Sequence, residues 1–230
     1  MAKEKEIVGL LGVIGGGKDF TANQYVEMQG FQHFKHADGL REITENCLRL
    51  KLSNPEVYEE FKKNDIPKFN GYHFVWELFD YLKKNVEDVS LMKVLQLTDK
   101  ILDTKLQGDF PAFNLFLDSD HLIPMNGRVF LQRLGNSARD IFTNLIWINL
   151  VYKRSENVDK VIISDVRYLN EAQEVLKRGG KLLLCNYTAN PRYNPSDPHV
   201  SEKLAQDILA AGINQHWTQV TQEDIDKLPR

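Results

Sequence analysis

The stretch Gly12-Val13-Ile14-Gly15-Gly16-Gly17-Lys18 constrains the fold of this chain more than any other. An apolar run from Glu6 to Leu11 leads into it, and a helical pattern from Lys18 to about Met28 leads out. Glycine reaches backbone conformations closed to other residues, so a strand can turn sharply into a helix at such a place. Phe31 to His36 reads as a second, weaker strand, and Asp38 is placed to cap a helix through Leu50. Strand, loop, helix and strand in this order predict a parallel α/β sheet flanked by helices.

From Ser53 the character changes. Turn signals at Asn54-Pro55, Ile66-Pro67 and Asn70-Gly71 punctuate helical patterns such as Trp76 to Lys84 and Ser90 to Leu106. The stretch 53–126 therefore reads as a mostly helical insertion, an acceptor-side subdomain, in a core made of 1–52 and 127–230. At 230 residues the chain is long enough for such a core and its insertion. Apolar positions from Leu131 to Ile148 recur at helical spacing and predict one helix from Arg128 to Tyr152. Val161 to Ser164 reads as a buried strand, Leu169 to Arg178 as a helix closed by Gly179-Gly180, and Lys181 to Cys185 as another strand. The polar loop 186–197 then precedes a helix opened by Asp197 and Pro198 and ending near Gly212.

The formal net charge is −3 and no polybasic tract stands out, which speaks against a grip on polymeric nucleic acid. No apolar run is long enough to span a bilayer, and the opening Met-Ala-Lys-Glu-Lys-Glu lacks the apolar core of a signal peptide. Cys47 and Cys185 form no CxxC or Cys/His cluster and read as buried thiols in a reducing compartment. The expectation is a cytoplasmic protein with no membrane partner; homodimer formation is left open.

Gly12 to Lys18 matches the first seven places of G-x-x-x-x-G-K-[ST], in which backbone N–H groups converge on phosphate oxygens and the lysine reaches the β- and γ-phosphates. The flanking strand and helix make a chance glycine turn the weaker explanation. Asp19 occupies the position of the usual Mg²⁺-binding hydroxyl, with Thr21 two residues on. Its carboxylate either holds the metal, directly or through water, or only favours the first helical turn against the macrodipole.

An acceptor side is also visible. Arg41 follows the second strand, where a cation can clamp phosphate. At 100° per residue, Arg128, Gln132, Gly135 and Arg139 share one narrow helix face, with Asn136 beside it. Arginine suits phosphate, glutamine suits a base edge, and glycine lets a flat ligand approach the backbone. A merely solvated face is the competing explanation, although Gly135 costs roughly 1 kcal/mol inside a helix. Val161-Ile162-Ile163-Ser164-Asp165 delivers a carboxylate at a strand end, followed by Arg167 and Glu171. These three make either a ligand site or a structural ion-pair set.

Taken together, these residues resemble the bacteriophage deoxynucleoside monophosphate kinases. The resemblance is carried by Gly17-Lys18-Asp19, by Leu131-Gln132 with Gly135, Arg139 and Trp147, by Asp165-x-Arg167 with Asn170-Glu171, and by His199, Ser201 and Glu202. It covers both ends of the chain and says little about 53–126. It implies a nucleoside monophosphate kinase-like P-loop fold and transfer of the γ-phosphoryl group of ATP, with Mg²⁺, to a deoxynucleoside monophosphate. Gly12, Gly15, Gly16, Gly17, Lys18, Asp19 and Phe20 would hold ATP, with Asp19 toward the metal. Arg41, Arg128, Gln132, Gly135, Asn136, Arg139, Trp147, Asp165, Arg167 and Glu171 would surround the acceptor. Lys18, Arg167 and Arg192 would act on the transferring phosphate, Arg192 from a lid-type loop. Phe20 stands where the family usually has Thr or Ser, and Asn136-Ser137 replaces a Thr-acid pair. The rivals are a kinase acting on modified bases within DNA and a nucleotide-binding module without turnover.

Overall fold

The computed structural model describes residues 5–102, 125–196 and 202–228. Five strands, β1 (Glu6–Leu11), β2 (Gln32–Phe34), β3 (Lys160–Ile163), β4 (Lys181–Leu184) and β5 (Thr218–Val220), form one sheet in the order β2-β3-β1-β4-β5. The first four strands run parallel, and β5 closes the β4 edge antiparallel. Val8 of β1 pairs with Ile162 of β3 on one side and with Lys181 of β4 on the other. The central strands are buried on both faces, which is why their sequences are continuous Val, Ile and Leu rather than alternating.

The helices are α1 (Lys18–Gln29), α2 (Ala37–Leu48), α3 (Pro55–Lys63), α4 (Gly71–Asn85), α5 (Leu91–Leu102), α6 (Gly127–Ile141), α7 (Ile146–Arg154), α8 (Leu169–Lys177), α9 (Lys203–Ala210) and α10 (Gln222–Asp226). The chain divides into two compact units, 1–36 with 151–230, and 37–150. The first holds the whole sheet. The second is helical, and its core gathers Ile43, Phe74, Leu78, Ile101, Phe130, Leu134 and Trp147. The expected boundaries at 52/53 and 126/127 fall inside this second unit, because α2 packs on α4, and α6 packs on α3 and α5.

Local signals act as read at several places. Asn54 caps α3 with Pro55 behind it, and the Asn70 side chain accepts from the His73 N–H at the start of α4. Asp38, expected as a cap, lies instead within the first turn of α2, where its carboxylate takes the Arg41 guanidinium at 3.0 Å. The single helix expected over 128–152 is two. Phe142 caps α6, its N–H still on the Ala138 carbonyl, and the Ile146 N–H then turns back to the Thr143 carbonyl. The Trp147 indole N–H then donates to the Gly135 carbonyl at 3.0 Å, so α7 folds back on α6 while keeping its apolar face buried. Residues 103–106 of the expected Ser90–Leu106 helix, and the Asp197-Pro198 start, lie outside the described residues.

Candidate functional site

In the sheet unit, β1 is followed in sequence by the edge strand β2, whereas β3 is followed by β4 on the other side of β1. The loops leaving β1, β3 and β4 therefore gather at the carboxyl edge, the usual place for ligands in an open parallel sheet. Backbone bonds knit them: the Val166 N–H donates to the Leu10 carbonyl, and the Cys185 N–H to the Leu11 carbonyl.

The glycine loop sits inside this collar. A Cβ on Gly12 or Gly16 would lie 2.2 or 2.4 Å from the Cys185 carbonyl oxygen, so backbone runs where a side chain would clash. At Gly15, φ is +74°, and a Cβ would meet the Arg192 backbone at 2.3 Å. The Asn194 N–H donates to the Ile14 carbonyl, so the loop carrying Arg192 crosses directly over the glycine loop. The Arg192 side chain itself is exposed.

Lys18 curls back over this loop, its Nζ donating to the carbonyls of Gly12 at 2.5 Å and Val13 at 3.0 Å. Burial pulls its pKa below the ordinary lysine value, and the nearby Arg167 charge adds to that. Asp19, next in the helix, reaches out of its own turn. Its Oδ1 accepts from Lys35 Nζ at 2.7 Å and from the Ser164 hydroxyl at 3.2 Å, just past β3. Partial burial tends to raise its pKa, but the hydrogen bonds and charge of Lys35 and the Ser164 hydroxyl outweigh it and hold the carboxyl below its usual value. Thr21, the other hydroxyl considered for a metal, is fully buried and takes the Trp217 indole N–H. The Phe20 ring is 66% exposed, so toward the loop Phe20 offers its helix-start N–H rather than its side chain. Lys35 and Ser164 were missed in the sequence. The only trace of Ser164 is its position at the end of the Val-Ile-Ile run, where a polar residue replaces the apolar series.

Among the described residues no three His, Cys, Asp or Glu side chains are arranged to hold a metal ion. An exposed carboxylate beside a hydroxyl at the glycine loop still fits Mg²⁺, which is bound through one or two carboxylates plus phosphate and water.

Asp165 and Glu171 turn inward. Asp165 Oδ1 accepts the backbone N–H of His36 at 2.7 Å and faces His36 Nδ1 at 3.1 Å. Glu171 Oε2 accepts the N–H groups of Arg167 at 2.8 Å and Tyr168 at 3.1 Å, and lies 3.7 Å from His36 Nδ1. Glu171 thus completes the first turn of α8 instead of facing a ligand. His36, not singled out in the sequence, is the buried centre of this group. Burial lowers its pKa, but Glu171 and Asp165 raise it more, up to about 9. A raised histidine pKa contributes stability that is complete below the ordinary value of about 6.5 and is lost as pH climbs through about 9. Unfolding free energy measured by urea titration is expected to fall by roughly 3 kcal/mol across that window. His36→Gln should flatten the dependence; an unchanged slope refutes the ion cluster.

The Arg167 guanidinium goes elsewhere, donating through Nη1 to Glu202 Oε1 at 3.2 Å, with the arginine half-exposed and Glu202 buried. His199 and Ser201 lie outside the described residues.

In the helical unit, the polar face of α6 forms as expected: Arg128, Gln132 and Asn136 are exposed and Gly135 is buried among them. Arg139 Nη1 reaches Asn136 Oδ1 at 3.4 Å. Arg41 stacks over the Tyr58 ring at 5.9 Å. Burial raises the Tyr58 pKa, while the charges of Arg41 and Arg128 oppose it, so both arginines act on one phenol that sequence reading had overlooked. Trp147 is enclosed in the core and supports α6 from behind through its bond to Gly135. No helix among the described residues is long and apolar enough to cross a membrane. No protein-family model matches the chain, and no curated protein matches it.

Proposed function

We propose that this protein is a kinase that moves the γ-phosphoryl group of ATP to a deoxynucleoside monophosphate. The observation that carries this reading is the collar at the sheet edge: a glycine loop capped by Lys18, the Asp19 carboxylate on the Ser164 hydroxyl, and the Arg192 loop lying across it. Phosphoryl transfer depends on positioning and charge stabilisation more than on covalent chemistry, and these are the parts it uses. The loop N–H groups and Lys18 take the donor phosphates. Asp19 and Ser164 are the groups that would hold Mg²⁺, which neutralises phosphate charge when it arrives with ATP. Arg192 stands on the loop that crosses the donor site and shields it from water, and Arg167 takes the acceptor phosphate. The helical unit by itself offers cations at Arg41 and Arg128, which suit phosphate, and amides at Gln132 and Asn136, which suit a base edge. An ADP-release assay across a panel of mononucleotides tests the activity, and radiolabelled ATP offered with duplex DNA separates the DNA-kinase alternative. Label found only in polymer overturns the proposal.

Gly135 gives a sharper test. A Cβ there would meet Leu40 at 3.6 Å, an ordinary contact, and its φ is not in the left-handed region. Packing therefore does not demand glycine, and Gly135→Ala is expected to raise stability by about 0.5–1 kcal/mol. If a base lies against this backbone, the same change should raise KM for the monophosphate about tenfold. Higher stability with unaltered KM would remove Gly135 from the binding face.

A further inference from the structure

Three rings stand exposed beside the start of α1. Trp217 and Tyr187 are each 52% exposed, and the His216 ring lies between them. The His216 and Trp217 centroids are 5.3 Å apart at 32°, and Tyr187 lies 6.2 Å from His216. This group borders the glycine loop directly: a Cβ on Gly17 would meet Tyr187 Cβ at 3.3 Å and His216 Cε1 at 4.0 Å.

Half-exposed aromatic rings in contact with one another call for an explanation. The structure holds these rings in place deliberately. Trp217 has φ +66°, a conformation that bulky residues rarely adopt. Its backbone N–H is tied to the Leu184 carbonyl at 2.8 Å, and its indole N–H to the Thr21 hydroxyl at 3.3 Å. The edge of the ring is thus anchored to α1 while much of the side chain stays in solvent. Asn186 staples the neighbouring loops: its backbone N–H donates to His216 Nδ1, its side-chain amide to the Asn214 carbonyl, and its oxygen accepts the Tyr193 hydroxyl. Because Nδ1 of His216 accepts a bond, the ring is the neutral tautomer with its proton on Nε2. Burial, which lowers the pKa of His216, is consistent with that neutral ring.

We propose that Trp217 and His216, with Tyr187 beside them, form the stacking face for the purine base of the nucleotide whose phosphates occupy the glycine loop. This rests on the phosphate-loop reading above. Anchored rings are pre-organised for a flat ligand, and a purine covers more of an indole than a pyrimidine does. Stacking tolerates any purine, so ATP and GTP serve as donors ahead of CTP and UTP.

Calorimetric titration of the full chain with MgATP and with magnesium tripolyphosphate tests this, because the second ligand has phosphates and no base. Trp217→Gly removes the ring and accepts the positive φ without strain. The expected result is a loss of about tenfold or more in ATP affinity with tripolyphosphate affinity changed less than about twofold. Trp217→Phe, which keeps a smaller ring, should fall between. Wild-type ATP affinity in the glycine variant overturns the stacking face and leaves the phosphate loop standing. Equal weakening of both ligands also overturns it, since the residue then acts through the loop's structure. Failure of the unaltered protein to bind either ligand removes the phosphate-loop reading, and this proposal with it.

Discussion

Lys18→Ala is expected to lower kcat for phosphoryl transfer by at least ~10²-fold while leaving a folded protein. The ammonium sits at the mouth of the glycine loop, on the carbonyls of Gly12 and Val13, where charge would build on the transferring phosphate. In that partly buried position its charge is screened less than on an open surface, and so it acts more strongly on a phosphate. The structural cost should be small. The Val13 carbonyl keeps the Gly16 N–H, and loss of the ammonium from the buried Gly12 carbonyl costs about 1–2 kcal/mol. The strand, the crossing Asn194–Ile14 bond and the Cys185–Leu11 bond remain to hold the loop. Turnover by ADP release, paired with thermal unfolding, separates the two effects. Near-normal turnover in a variant that melts like the parent sinks the phosphate-loop assignment.

What the sequence made legible follows from how local each feature is. The unit Glu6–Gln29 was readable because strand, glycine turn and helix are neighbours, and each signal sits within a few residues of the next. The parallel sheet was readable in class, yet the order β2-β3-β1-β4-β5 is a tertiary outcome with no local signature. The break at Phe142 was hidden because α6 and α7 both bury apolar residues, so helical periodicity runs through the turn unaltered. Asp19 was seen, but its two open roles could not be separated without knowing that Lys35 and Ser164 come to it from just past β2 and β3. Those contacts span 16 and 145 residues. Asp165, Arg167 and Glu171 were read as one set; in the fold they divide. Asp165 and Glu171 converge on His36, a residue whose type and position gave no sign of an ionised core partner.

That division sharpens what removal of Arg167 should do. Its guanidinium pairs with Glu202, so Arg167→Ala removes a cation from the buried Glu202 carboxylate. The backbone N–H that Glu171 accepts survives the substitution. Truncating one member of a fully buried pair costs about 3–5 kcal/mol, but the arginine here is 44% exposed, and a loss of about 1–2 kcal/mol is the better expectation. If Arg167 also clamps the acceptor phosphate, kcat/KM for the monophosphate should fall by about 10²-fold. ATP affinity measured without acceptor should change by no more than a few-fold, because the glycine loop and Lys18 remain. A second substitution separates stability from chemistry. Glu202→Gln on the Arg167→Ala background removes the buried charge, and it should recover most of the lost melting temperature with none of the lost transfer. Recovery of both together would show that Arg167 serves only to neutralise Glu202. Recovery of stability alone, with acceptor kinetics still impaired and ATP binding intact, is the outcome that the exposed half of this guanidinium beside Lys18 leads us to expect.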